Sequence, residues 1–266
     1  MIKLLFISNN ENLVLDAEKA GVDRVFIDLE LNGKKERQGH LDTYITDHSI
    51  DDVCRIKKVL KRSELLVRIN PYYSETKIEI DKCIEYGADI IMLPMFKTAY
   101  EVEQFIKYVN KRVKTCLLLE TSESLVRIND IVNIEGIDEI HIGLNDLHLS
   151  MGLDFMFELL SGGIVEYLSN IIKAKGITFG FGGIAKIGEG TIPAEMILGE
   201  HYRLGSEMAI LSRTFRSNAD DLNLEIKKIR EKENEIKRWS SAEFKRNKIT
   251  LQEKVNEIVN SRRKKD

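Results

Sequence analysis

The sequence predicts a (β/α)8 barrel of the TIM type followed by a C-terminal helical extension. Three observations carry that prediction. Apolar runs of strand length alternate with helix-period segments eight times. The runs are almost continuously apolar, as parallel strands buried on both faces require. No glycine-rich dinucleotide fingerprint follows the first run, which weighs against the runner-up, a doubly wound open sheet. At 266 residues and 43% hydrophobic content, the chain can fill one barrel of this kind.

The elements follow in order. Residues 2–8, within Met1-Ile-Lys-Leu-Leu-Phe-Ile-Ser8, read as the first strand, being too short for a signal peptide. The further strands are expected at 24–30, 64–70, 90–95, 115–121, 139–145, 177–183 and 207–213. The helices between and after them are expected at 11–20, 50–62, 75–86, 99–111, 123–134, 156–175, 193–203 and 219–238. Gly21, Gly87, Gly136, Gly176 and Gly205 each follow a last helical turn, where a left-handed residue closes the helix. Ser49, Ser74 and Thr98 are the expected N-caps. Past residue 215 the pattern turns wholly helical. Leu222, Ile226, Ile229, Ile236 and Trp239 form one stripe; Leu251, Val255, Ile258 and Val259 form another. We therefore divide the chain into a catalytic barrel, 1–218, and an extension, 219–266, whose spare apolar stripes suggest an oligomer contact.

Composition narrows the function. No apolar run reaches the roughly 20 residues a membrane span needs, and no membrane role is expected. Cys54, Cys83 and Cys116 lack metal-type spacing and read as reduced thiols of a cytoplasmic protein. Residues 227–266 hold 14 Lys/Arg against 7 Asp/Glu, so the remainder carries about ten negative charges within a net of −3. Interleaved acids and few aromatics make this tail a solvated helical extension rather than a nucleic-acid surface.

The chemistry lies at the strand ends, since a barrel builds its active face there. The fifth strand ends in Glu120 and the sixth in Asn145-Asp146, one βα unit apart, so both carboxylates emerge at the same edge. Such a pair is a natural seat for a hard divalent cation. The third strand brings Arg68 and Asn70 to that edge. Metal plus arginine is the equipment for holding an oxyanion. Asp28 and Glu30 share one face of the second strand, with a direct catalytic role and an orienting role both open. The long polar loop after that strand contains His40, the candidate titrating base. His141, inside the sixth strand, reads as a core histidine. The glycines at 180, 182 and 183 either ease close packing or hold an anion. Asn70 and Asn145 are the candidate substrate-binding amides.

Five segments fall in a familiar order: Val25-Phe-Ile-Asp28-Leu-Glu30, Leu66-Val-Arg68-Ile-Asn70-Pro71, Gly87-Ala-Asp-Ile-Ile-Met-Leu-Pro94, Leu118-Leu-Glu120-Thr and Ile142-Gly143-Leu-Asn145-Asp146-Leu. Over roughly residues 20–215 the chain resembles the HpcH/HpaI aldolase and citrate lyase β-subunit family of the phosphoenolpyruvate/pyruvate superfamily. The resemblance implies a barrel, a Mg2+-type cofactor (Mn2+ or Co2+ as alternatives), and making or breaking a carbon–carbon bond beside a 2-oxo acid or acyl thioester. It implies Glu120 and Asp146 as metal ligands, Arg68 as the residue that steadies the enolate oxygen, and Gly143 as part of the substrate-carboxylate site. It also implies a homo-oligomer, a trimer or hexamer. The chain departs from the aldolase pattern after the second strand, where Leu31-Asn32-Gly33 stands in place of His-Ala-Pro. It departs from the citrate-lyase pattern too, with Glu30-Leu31 in place of Glu-Asp.

The expected function is a metal-dependent carbon–carbon lyase acting through a pyruvate-like enolate. The alternatives are an acyl-CoA lyase, for which Lys34, Lys35, Arg37 and Lys186 are the candidate phosphate contacts, and a non-catalytic barrel that binds partners through its tail.

Overall fold

Eight parallel strands close into a barrel in the order of the sequence in the computed structural model, which describes residues 1–31, 48–217 and 222–264. The strands are β1 (Lys3–Ile7), β2 (Arg24–Asp28), β3 (Glu64–Arg68), β4 (Ile90–Leu93), β5 (Lys114–Leu119), β6 (Glu139–Ile142), β7 (Thr178–Ile184) and β8 (Met208–Leu211). All eight predicted strands form. Their nearly unbroken burial follows from a double enclosure, helices outside and packed side chains inside. Leu5, Phe26, Leu66, Ile90, Met92, Cys116, Leu118 and Met208 fill the interior.

A polar plug closes the barrel on its N-terminal side. The wholly buried Arg24 donates from Nη1 and Nη2 to Glu139 at 2.5 and 2.6 Å, and from Nε to Glu64 at 2.9 Å. Lys114 closes the chain onto Glu64 at 2.6 Å. Burial alone would disfavour the guanidinium charge, but the two carboxylates outweigh it and raise the Arg24 pKa. Such a buried ion cluster adds little net stability, but losing one member would leave a buried charge uncompensated.

The helices before the midpoint of the chain follow expectation: α1 (Glu11–Ala20), α2 (Ile50–Val59), α3 (Thr76–Glu85) and α4 (Ala99–Val109). Gly21 closes α1 at φ +94, its N–H reaching the last-turn carbonyls. Thr98 caps α4 in a reciprocal box with Glu101. The helix expected at 123–134 is two pieces, α5 (Ser122–Val126) and α6 (Ile128–Ile131), broken at Arg127. The one expected at 156–175 is likewise α8 (Glu158–Ser161) and α9 (Ile164–Ala174), parted by Gly162 and the left-handed Gly163. The helix after the sixth strand was not anticipated. The sixth strand stops at Ile142, and α7 (Leu144–Ser150) begins after Gly143. Asn145 and Asp146 thus stand in the first turn of a helix, not on a strand, which suits short acidic and amide side chains.

The remaining helices are α10 (Ala194–Leu204), α11 (Thr214–Ser217), α12 (Leu222–Ile236) and α13 (Ser241–Arg263). α12 packs on α1 and α10 and so fills the eighth helix position. Arg230 donates to the Ile2 carbonyl at 2.8 Å and Glu233 accepts the Ile2 N–H at 2.7 Å, tying α12 to the start of β1. The eighth βα unit therefore runs to Ile236, past the boundary expected at 218. α13 lies beyond the eighth βα unit and packs over α10 and α8. The apolar stripes expected to be spare are covered by the chain's own barrel: Ile226, Ile229, Ile236, Leu251 and Val255 are all buried. Among the described residues no helix is long and apolar enough to cross a membrane.

Candidate active site

The C-terminal mouth of the barrel holds the charged residues read from the sequence. Arg68 ends β3, in register with Asp28 on β2 and Met92 on β4. Its guanidinium meets Asp28 in a two-pronged bond, Nε to Oδ1 and Nη2 to Oδ2, each 2.9 Å. Glu30 stands 3.3 Å from Nη2. Burial disfavours the charge, but Asp28, Glu30 and Glu120 together push the Arg68 pKa well above its ordinary value. The Nη1 end has no acceptor among the described residues, and Arg68 lines the cavity at the barrel mouth. Asp28 and Glu30, candidates for direct catalysis, are both buried and both turned to this arginine. Neither lines the cavity, so their geometry is that of orienting residues.

Glu120 follows β5 and is 2% exposed. One carboxylate oxygen accepts the Met95 N–H at 3.1 Å. Met95, which follows β4, holds a left-handed φ of +53, a cost of about 1 kcal/mol or more for a residue with a side chain. That strain aims the amide at Glu120. Sequence reasoning placed Met95 at a strand end but had no signal for its role. Burial, then the charges of Asp146 and Glu30, push the Glu120 carboxyl well above the usual carboxylate range; Arg68 and the Met95 amide act the other way. The Asp146 charge is thus felt at Glu120, and both residues line the same cavity.

Gly143 explains its own identity. A Cβ there would meet the Glu120 carboxylate at 2.8 Å and its Cβ at 2.9 Å. Only glycine lets the β6–α7 turn pass behind Glu120. The Gly143 N–H is bound to the Leu119 carbonyl at 2.9 Å, so this residue offers no amide of its own to a ligand. Asn145 and Asp146 line the cavity from the first turn of α7, which has no side-chain cap.

Asn70 is not brought into this cavity. Its Oδ1 accepts the Leu31 N–H at 2.9 Å and its Nδ2 donates to Glu79 at 2.8 Å. It lines a neighbouring cavity between β2, β3 and α3 and braces the strand ends there. His40 lies outside the described residues, as do Lys34, Lys35 and Arg37. His141 is buried in β6, its Nε2 3.1 Å from the Gly182 carbonyl. Burial drops its pKa to about 4, so it is neutral, as expected of a core histidine. Gly180, Gly182 and Gly183 lie at a register shift between β7 and β8. A Cβ at Gly180 would strike Met208 at 2.3 Å and one at Gly182 would strike Leu144 at 2.7 Å. These glycines serve close packing.

The cavity measures about 300 Å³, the low end for small-molecule sites. Its polar lining comprises Arg68, Glu120, His141, Asn145 and Asp146, with Ser212 and Arg213 at the rim, and the buried His141 Nδ1 has no hydrogen-bond partner among the described residues. Among the described residues no three His, Cys, Asp or Glu side chains form a ready-made metal cage. The hard-oxygen donors present are the Glu120 and Asp146 carboxylates. They fit an ion that keeps positions for water and substrate, as Mg2+ does. Burial and the nearby Asp146 charge outweigh Arg68 and the Met95 amide at Glu120.

No curated protein matches the sequence. Among solved structures, the barrel is similar to an HpcH/HpaI aldolase from Desulfitobacterium hafniense DCB-2, with TM-score 0.62 and 14% identity over 82% of this chain and 91% of that one. It is similar to an HpcH/HpaI aldolase/citrate lyase family protein from Burkholderia cenocepacia J2315, with TM-score 0.64 and 14% identity over 85% and 93%. It is also similar to the citrate synthase SbnG, with TM-score 0.62 and 17% identity over 85% and 94%. At such identities these likenesses speak for the fold. The sequence itself matches the model of the HpcH/HpaI aldolase/citrate lyase family over residues 2–158, more than half of its length. This chain belongs to the HpcH/HpaI aldolase/citrate lyase family.

Proposed function

We propose that the protein is a metal-dependent carbon–carbon lyase that cleaves or forms a bond beside a 2-oxo acid through a pyruvate-like enolate. The observation that carries this reading is the buried Glu120 carboxyl, crowded by Asp146 and sharing a cavity with the partly engaged fork of Arg68. Glu120 and Asp146 would hold a divalent cation, Mg2+ first. When bound, the cation would supply Lewis-acid stabilisation to the oxygen that becomes negative.

The chain's own residues do the rest. Arg68, fixed by Asp28 and Glu30, presents Nη1 to the C2 oxygen of the substrate. Because Asp28 already occupies one edge of the guanidinium, the open end is held in place before substrate arrives. The substrate carboxylate would sit at the first turn of α7, beside Asn145. In cleavage of a 4-hydroxy-2-oxo acid, a base takes the C4 hydroxyl proton. The C3–C4 bond breaks, its electron pair enters the C2–C3 enolate, and an aldehyde leaves. The enolate then takes a proton at C3 and becomes pyruvate. His40 is the proposed base.

The test is pyruvate release from a panel of 4-hydroxy-2-oxo acids, assayed with Mg2+, Mn2+ or Co2+. Turnover that requires the cation supports the reading. Turnover confined to coenzyme A thioesters would replace it with the acyl-CoA lyase, and none on either class would leave a binding barrel.

A further inference from the structure

We infer that His141 reads the acceptor half of the substrate, its Nδ1 accepting a hydrogen bond from a hydroxyl that the aldehyde carries beyond its carbonyl. The inference rests on the proposed enolate chemistry and deepens it. Side chains alternate along β6, so His141 shares the inward face with Glu139, which belongs to the polar plug below. Its register partner on β5 is Leu118, one inward position short of Glu120. His141 and Leu118 therefore lie one layer beneath the charged groups, and Ile7 and Ile210 line the cavity with them. His141 is the polar member of this group. The ring is fixed at one end: a carbonyl only accepts, so Nε2, 3.1 Å from the Gly182 oxygen, carries the proton. Nδ1 of the neutral ring is then a lone-pair acceptor.

That nitrogen is buried and has no hydrogen-bond partner among the described residues. Its neighbours in the sheet supply none: Leu118 is apolar, and Gly180, in register on β7, has no side chain. A buried acceptor left bare is costly, and the cavity that the ring lines is where a donor can enter. Chemistry says which half of the substrate brings it. Pyruvate and its enolate present a carboxylate and one further oxygen, all acceptors, so the donor belongs to the aldehyde half. The C4 hydroxyl is taken by the base, and a base works best with a pKa near the working pH. Burial holds that of His141 down at about 4, so His141 is not that base. What remains is a hydroxyl further along the aldehyde, one that stays intact while the C3–C4 bond is made or broken. An analogue with a methyl group in its place would leave Nδ1 bare, and sites built to bond a substrate hydroxyl discriminate strongly against such analogues.

The experiment measures aldol addition of pyruvate to glycolaldehyde and to propanal, which differ by a hydroxyl against a methyl group, with Mg2+ or Mn2+ present. Exchange of the pyruvate methyl protons in D2O is followed in parallel by NMR. We expect kcat/KM for glycolaldehyde to exceed that for propanal at least about ten-fold. His141→Phe, which keeps a planar ring and removes the acceptor, should bring the ratio to about one or below. Imidazole 15N shifts of the wild-type protein serve the same purpose should that variant not fold. With pyruvate and Mg2+ present, glycolaldehyde should move an unprotonated histidine nitrogen upfield and propanal should not. Methyl exchange without a glycolaldehyde preference or the 15N response, or a preference that survives in His141→Phe, would overturn the role of His141 and leave the enolate reading standing. No methyl exchange with either cation would overturn both.

Discussion

Arg68 is gripped on one edge by Asp28 and Glu30, and among the described residues nothing accepts from its Nη1. Its value lies in a planar fork that serves both sides at once, which a lysine cannot do. Arg68→Lys should therefore lower kcat on an accepted 2-oxo acid about 10²- to 10³-fold, the range for losing one oxyanion donor. Near-normal turnover would remove the assignment. Gly143→Ala tests the neighbouring residue without an activity assay. Its methyl group would displace Glu120, so Mg2+ or Mn2+ affinity measured by calorimetry should fall at least ten-fold while the circular dichroism spectrum stays unchanged. A His40→Ala variant should lose the acidic limb of the pH–rate profile near neutrality; an unchanged profile would move the base elsewhere. At this scale the gathering of Arg68, Glu120 and Asp146 around one cavity was legible because residues at or just beyond the ends of barrel strands face its mouth. Asn70 was misplaced because its partners, Leu31 and Glu79, come from other elements that no local pattern connects to it.

The elements behave according to their punctuation. Helices with clear caps formed where expected: α1 stops at the left-handed Gly21 and α4 at the left-handed Asn110. The short helix α7 did not announce itself, because Asn145 and Asp146 continue an apolar run and look like a strand end. α13 is held to the barrel by polar contacts as well as its apolar face. Glu166 on α9 meets Arg203 of α10 at 2.8 Å and Lys248 of α13 at 2.7 Å. These two cations lower its pKa to about 2. A depressed carboxyl stabilises the fold above its unfolded pKa, near 4.5, and loses that contribution as pH falls toward 2. Glu166→Gln should thus cost about 0.5–1 kcal/mol at pH 7, discounted for the group's partial exposure, and nothing near pH 2. Urea titrations at both pH values measure the difference. A cost independent of pH would assign the effect to packing.

At the scale of the molecule, eightfold alternation was written in the sequence, and the barrel closes accordingly. How it closes was not written there. α12 supplies the eighth helix and clasps β1 through Glu233 and Arg230, contacts more than two hundred residues apart along the chain. Truncation after Ser217 should therefore yield aggregated, unfolded protein, while truncation after Trp239 should leave a folded but less stable barrel, as thermal melts will show. Since the tail's apolar stripes are covered within the chain, they no longer argue for the expected trimer or hexamer. Such an assembly would have to use another surface, and light scattering of the full chain measures whether it exists. The account's central claim is that a cation on Glu120 and Asp146, with Arg68, makes a pyruvate enolate. The most direct measurement is deuterium exchange into the pyruvate methyl group by NMR, in Mg2+ or Mn2+ and in excess chelator. The account predicts exchange that needs the cation, disappears in Glu120→Gln, and falls sharply in Arg68→Lys; exchange undiminished by chelator and by both substitutions would contradict it.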